Sequence, residues 1–182
     1  MFTSKEAAMR YGFSLLELLL VIFIISLVYF LGFSGIEKQE KKAPALTPLT
    51  LKKSIQESSL FTGQGTLICI DKCKSCYFRK DISSPFEAYD GAINLSPLEV
   101  YMVDVNDNLQ KVTYGRYQDQ PICLQIDFYP NGSSTPLILQ TDEGNYFLPS
   151  YFGTPTQTDS LAKAQDLWLD YDHALDSQGD FY

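Results

Sequence analysis

Residues 13 to 33 contain a single charge, Glu17, among apolar side chains, one glycine, two serines and a tyrosine. Leu, Ile, Val and Phe would fall on every face of a helix over this stretch, so no polar stripe exists to meet water while another face docks on a core. At a rise of about 1.5 Å per residue such a helix is about 31 Å long, close to the hydrocarbon thickness of a bilayer. Residues 35–42 (GIEKQEKK) extend it with good helix formers. Pro44 and Pro48 then predict a break or linker over 43–48, because proline disrupts a helix interior and restricts the residue before it. A short helix is expected near 49–60.

Beyond Gly63 the period shortens. Residues 66–70 (TLICI), 98–105, 110–117, 122–129, 136–140 and 145–151 are short and rich in β-branched and aromatic side chains, and they predict strands. In 122–129, Ile122, Leu124, Ile126 and Phe128 alternate with Cys123, Gln125, Asp127 and Tyr129, the mark of one buried and one wetter face. Turns are expected at 105–108 and at 130–134, where Asn131-Gly132 suits a tight hairpin. Near the end, Leu161, Ala164, Trp168, Tyr171 and Leu175 repeat at 3, 4, 3 and 4, predicting an amphipathic helix capped by Asp159 or Ser160. The fold class expected is α+β: a long N-terminal membrane helix, an antiparallel sheet domain and a C-terminal helix.

Composition narrows the chemistry. The 182 residues carry a net charge of -8, which argues against nucleic acid or an anionic surface as a partner of the whole chain. With His173 the sole histidine, multi-histidine metal sites and histidine-based catalysis are disfavoured. No nucleophile–base–acid set is visible, so no enzymatic activity and no cofactor is expected.

Glu17 needs a reason. A carboxylate well inside a bilayer costs on the order of 2.5–3.5 kcal/mol, less if it reaches the interface. A cleaved secretory signal fits poorly, since the run exceeds the usual length of about 7 to 15 residues and lacks an A-x-A-like site. The stretch KEAAMRYG|FSLLELLLVIFIISL resembles the N-terminus of type IV pilins and of the pseudopilins of type II secretion systems. That resemblance implies a leader over 1–12 with Lys5 and Arg10 as its basic residues, and a cut between Gly12 and Phe13 by a prepilin peptidase. Methylation of the new N-terminus at Phe13 is implied as well. It places Glu17 at the position whose carboxylate pairs with the amine of a neighbouring subunit. It further implies an assembly helix over 13–42, a linker and short helix over 43–62, and a periplasmic domain over 63–182 anchored in the inner membrane. The partners implied are major and minor pseudopilins, the peptidase and the inner-membrane assembly platform. The apolar half here lacks the proline common in that family. Residues 128–149 (FYPNGSSTPLILQTDEGNYFLP) bear a weaker likeness to the H class of minor pseudopilins, resting on shared hairpin chemistry. The alternative is a membrane-anchored periplasmic binding domain that does not polymerise.

The four cysteines, Cys69, Cys73, Cys76 and Cys123, are read first as disulfides, with Cys69–Cys123 and Cys73–Cys76 the preferred pairs. Zinc held by four thiolates ranks second, because a second C-x-x-C pair is missing. A thioredoxin-type role ranks third, because no βαβ unit surrounds CKSC. Lys72, Lys74, Arg79 and Lys80 make this region locally basic, and a solvated turn is the simplest account of them. The sequence DVNDN at 104–108 has alternating oxygen ligands but lacks the glycine and distal glutamate of a calcium loop. Asp166, Asp170, Asp172, Asp176 and Asp180 give the C-terminal stretch a solvated acidic face.

Overall fold

A computed structural model describes residues 14–33, 43–151 and 153–177. The chain divides into two compact units, residues 1–41 and 42–182. Among its described residues the first unit contributes α1 (Leu15–Phe33). The second holds α2 (Leu51–Gln56), β1 (Gly65–Ile70), β2 (Ser75–Arg79), β3 (Glu87–Ala88), β4 (Glu99–Val103), β5 (Leu109–Lys111) and β6 (Arg116–Tyr117). It continues through β7 (Gln120–Pro121), β8 (Leu124–Phe128), β9 (Leu137–Thr141), β10 (Gly144–Leu148), β11 (Thr156–Thr158) and α3 (Leu161–Ser177). The protein is α+β with an N-terminal helix, antiparallel sheets and a C-terminal helix.

The strands form a four-stranded sheet ordered β3-β2-β1-β8, a five-stranded sheet ordered β11-β10-β9-β4-β5, and the small β6-β7 ribbon. The alternation at 122–129 is realised in β8, where Leu124, Ile126 and Phe128 are buried and Gln125 and Asp127 half-buried. Its register against β1 sets Ile126 opposite Leu67 and Leu124 opposite Cys69, so apolar side chains line one face of the four-stranded sheet. In β9, Leu137 and Leu139 enter the main core with Leu67, Phe78 and Ile126, while Ile138 enters a second core with Phe147, Ala164 and Trp168 under α3. Burial on both faces explains why this strand reads as an unbroken apolar run.

The C-terminal helix forms as its periodicity predicts. Leu161, Ala164, Trp168 and Tyr171 face the second core. Ser160, not Asp159, supplies the cap: its Oγ accepts the Lys163 N–H at 3.2 Å. One carboxylate of the acidic face has a structural task, since the Trp168 indole N–H donates to Asp172 Oδ2 at 2.8 Å.

Several expectations need correction. Residues 43–47 are docked on the domain: Leu46 is fully buried, its N–H donates to Ala92 O and its C=O accepts from Asn94 N–H, each at 2.8 Å. The Tyr89 hydroxyl adds a bond to Pro44 O at 2.5 Å. Proline forbids helix here, but Leu46 still gains by leaving water. The turn at 129–133 forms, with Tyr129 N–H to Ser133 O at 2.9 Å and Ser133 N–H to Asn131 Oδ1 at 3.1 Å. It does not join a hairpin, because β8 pairs with β1 and β9 lies in the other sheet. The expected strand over 110–117 is divided between β5 and β6, and β2 occupies part of the region read as a basic turn.

Lys52 of α2 donates from Nζ to the Pro149 carbonyl. Burial pulls its ammonium from 10.5 down to about 8. The unfolded chain therefore holds a proton that the folded chain sheds between about pH 8 and 10.5. Stability rises with pH across that window, by up to about 1.4 kcal/mol per pH unit. Tyr89 and Tyr114 act oppositely: burial pushes both hydroxyls from 10.0 up to about 12, so their contribution is complete below pH 10.0 and lost towards 12. Urea unfolding at fixed pH should show stability climbing from pH 8 to 10 and falling above it, with the rising limb flattened in Lys52→Met. A flat wild-type profile from pH 8 to 10 contradicts the buried amine.

Candidate functional site

The candidate site is the start of α1. Its mean composition leaves no amphipathic face, and every described side chain from residue 14 to residue 30 is exposed. Those side chains span about 24 Å of helix by the usual rise. Among the described residues no helix is long and apolar enough to cross a membrane. Gly12 and Phe13, the expected processing residues, lie outside the described residues, as does the leader over 1–12.

Glu17 is described, and it already has a partner in its own chain. Its Oε2 accepts the Ser14 N–H at 3.2 Å, and its own N–H donates to Ser14 Oγ at 3.2 Å. This is a reciprocal S-x-x-E capping box, which satisfies two of the N–H groups that a helix start leaves without intrahelical acceptors. A negative side chain in the first turn also suits the positive end of the helix dipole. The carboxylate is thereby turned back towards the chain's start. Further along, Ser26 Oγ donates to Ile22 O at 2.8 Å, so that hydroxyl is satisfied within the helix as well.

The four cysteines do come together, but in other pairs than expected. Cys69 bonds Cys76 with Cα atoms 4.0 Å apart, and Cys73 bonds Cys123 at 5.8 Å. The reason is the β1–β2 register, which places Cys76 directly opposite Cys69. The connecting turn is left-handed at Asp71, Lys72 and Cys73, with φ of 51°, 54° and 63°. That geometry delivers Cys73 towards the chain before β8, where Cys123 N–H donates to Cys69 O at 2.9 Å. With all four sulfurs in disulfides, no thiolate remains for zinc or for exchange chemistry.

The secondary candidates resolve into structural roles. In the DVNDN loop, Asp104 Oδ1 accepts the Asn106 and Asn108 N–H groups, each at 2.9 Å, and closes the β4–β5 hairpin as an Asx turn. Those backbone bonds, that from Asn108 foremost, hold its carboxyl below the ordinary range. Asp81 does similar work at the end of β2, where hydrogen bonds from Ser83 and then Ser84 hold its carboxyl low. The cations diverge: Lys72 and Lys74 are exposed, while the Arg79 guanidinium lies 4.9 Å from the centre of the Phe86 ring. His173 is exposed on α3. Among the described residues no group of three or more His, Cys, Asp or Glu stands where a metal ion could be held.

Ser14 is the member of this site that composition and hydropathy do not single out. Its signal is the S-x-x-E spacing immediately ahead of the apolar run. Comparison with protein-family models, with curated proteins and with solved structures finds no match for the chain.

Proposed function

We propose that the chain is a minor pseudopilin, a subunit of a short periplasmic filament of the type II secretion or DNA-uptake kind. A prepilin peptidase cuts between Gly12 and Phe13, and the new N-terminus is methylated. The mature protein sits in the inner membrane by its N-terminal helix and joins other major and minor pseudopilins on the assembly platform. Its globular unit lies in the periplasm, an oxidising compartment in keeping with two disulfides. The role is structural and needs neither cofactor nor catalytic residue.

The observation that carries this reading is α1 itself. It is apolar on all sides and its described side chains are exposed, with one carboxylate in its first turn, following Gly12-Phe13 in sequence. A helix apolar on every face, whose side chains are exposed from residue 14 to residue 30, is stabilised by lipid or a neighbouring helix. An amine formed at Phe13 would have an ordinary pKa of about 7.7–8.0 and carry positive charge, the counterpart a carboxylate in low dielectric requires.

The test is made in the native host. The purified protein is expected to begin at methylated Phe13, and Gly12→Val is expected to remain full length. Glu17→Ala should be processed normally yet crosslink to partner subunits more than about tenfold less, as loss of a buried ion pair implies. A native protein beginning at Met1, or a Gly12→Val protein of unchanged mature size, overturns the reading.

A tethered binding domain that never polymerises is the second reading, and one observation favours it: the Ser14–Glu17 box gives the carboxylate a use without any neighbour. Its binding surface would be the groove of about 690 Å³ lined by Gly65, Thr66, Ile82, Asp127, Tyr129 and Pro130. Normal crosslinking of processed Glu17→Ala would select it.

A further inference from the structure

We infer that Ser14 is a positioning residue for Glu17, holding the carboxylate in the orientation from which it meets a neighbouring subunit's amine; this rests on the assembly reading above. A glutamate side chain is rotamer-rich, and fixing it at the moment of pairing costs conformational entropy. The box removes much of that cost beforehand. Ser14 Oγ accepts the Glu17 N–H and Glu17 Oε2 accepts the Ser14 N–H, so both ends of the loop are tied. Only Oε2 is committed to the box. A carboxylate has two oxygens and about four acceptor sites, so Oε1 can still accept from an incoming amine.

The position of the cut agrees with this. Both members of the box lie after the Gly12–Phe13 bond, so processing leaves them on the mature chain with Phe13 alone ahead of them. In a hydrocarbon setting the first N–H groups of a helix find no water, which raises the value of the two that the box satisfies. Ser14 thus acts through Glu17.

The experiment uses full-length protein in its native host, with N-terminal sequencing and crosslinking to partner subunits measured on the same samples. Ser14→Ala should be cut at Gly12 like the wild type and crosslink about fivefold less, the loss expected of an N-cap. Ser14→Thr, which keeps the hydroxyl, should return to within about twofold of wild type. In the Glu17→Ala background, Ser14→Ala should cause no further loss, because the residues act as one unit. Wild-type crosslinking by Ser14→Ala, alongside a deficient Glu17→Ala, overturns the positioning role and leaves the assembly reading standing. Losses that add in the double variant overturn it likewise. A wild-type protein that retains residues 1–12 overturns the assembly reading and this inference together.

Discussion

Gly65→Ala is expected to destabilise the globular unit by about 2–5 kcal/mol, the sum of overpacking and a left-handed backbone. Gly65 opens β1 at a φ of +148°. A Cβ there would stand 2.3 Å from Arg79 O and 2.4 Å from Phe78 Cζ. The first is backbone of the paired strand β2, and the second belongs to a ring 1% exposed in the main core. Neither can give way without opening the β1–β2 pairing or the packing of Phe78 against Phe61 and Phe128. Gly63 provides the comparison: its φ is +101°, but a Cβ there meets nothing within 4 Å. Gly63→Ala therefore carries only the backbone cost, about 1 kcal/mol. Urea unfolding of both variants with disulfides intact checks this. The Gly65 midpoint should fall several times further with an unchanged slope, and equal falls would mean that the close approach is not what selects glycine at 65.

What the sequence discloses follows from how local each cause is. The apolar run of α1 and the 3, 4, 3 spacing of Leu161, Ala164, Trp168 and Tyr171 are properties of single segments; helix forms over Leu15–Phe33 and Leu161–Ser177, while the expected extension over 35–42 lies outside the described residues. The cores of β1, β4, β8, β9 and β10 carry enough β-branched and aromatic residues to be read alone. By contrast β3, β6 and β7 have two residues each and β11 three, too few to display a period. They exist because a neighbour offers hydrogen bonds, as Phe147 and Asn145 do for Thr156 and Thr158. β2 is hidden differently. Its inward residues are Cys76 and Phe78, but cysteine and lysine just ahead of them give the stretch the look of a turn. Leu46 is the one large apolar residue between two prolines, and only the tertiary fold shows that it is buried.

The same distinction governs the candidate site. Glu17 stands out because one charge among apolar residues is a local anomaly. Ser14 does not, because an S-x-x-E pair opens many helices whatever their function. What sets it apart is the pair of reciprocal bonds with Glu17, which no composition or hydropathy profile contains. The Asp104 loop is the converse case. Its oxygen-rich spacing suggests a cation, but the backbone N–H groups of Asn106 and Asn108 occupy Oδ1, which is how an Asx turn uses the same residue types.

Cysteine pairing lies furthest from local reading, since four cysteines allow three connectivities and spacing ranks them poorly. Loss of the Cys73–Cys123 bridge as a double alanine variant is expected to cost about 4 kcal/mol, for a loop closed across 50 residues. Loss of Cys69–Cys76, across 7 residues, should cost about 2.5 kcal/mol. The larger figure approaches the whole stability of a marginal domain, about 5 kcal/mol. The longer bridge also tethers the left-handed turn at 71–73, a conformation that disfavours non-glycine residues by about 1–2 kcal/mol each. Without the tether that turn can relax, and β2 loses its lead-in. Trypsin tests the connectivity directly, because Lys72 and Lys74 separate Cys69, Cys73 and Cys76. Under non-reducing conditions the peptide SCYFR should remain joined to the peptide containing Cys69, and the dipeptide Cys73-Lys74 to the one containing Cys123. Recovery of Cys69 joined to Cys123 would restore the pairing expected from sequence and remove the ground for the unequal stabilities. If the connectivity holds but the two variants unfold at the same urea concentration, closure of the long loop is not what the second bridge contributes.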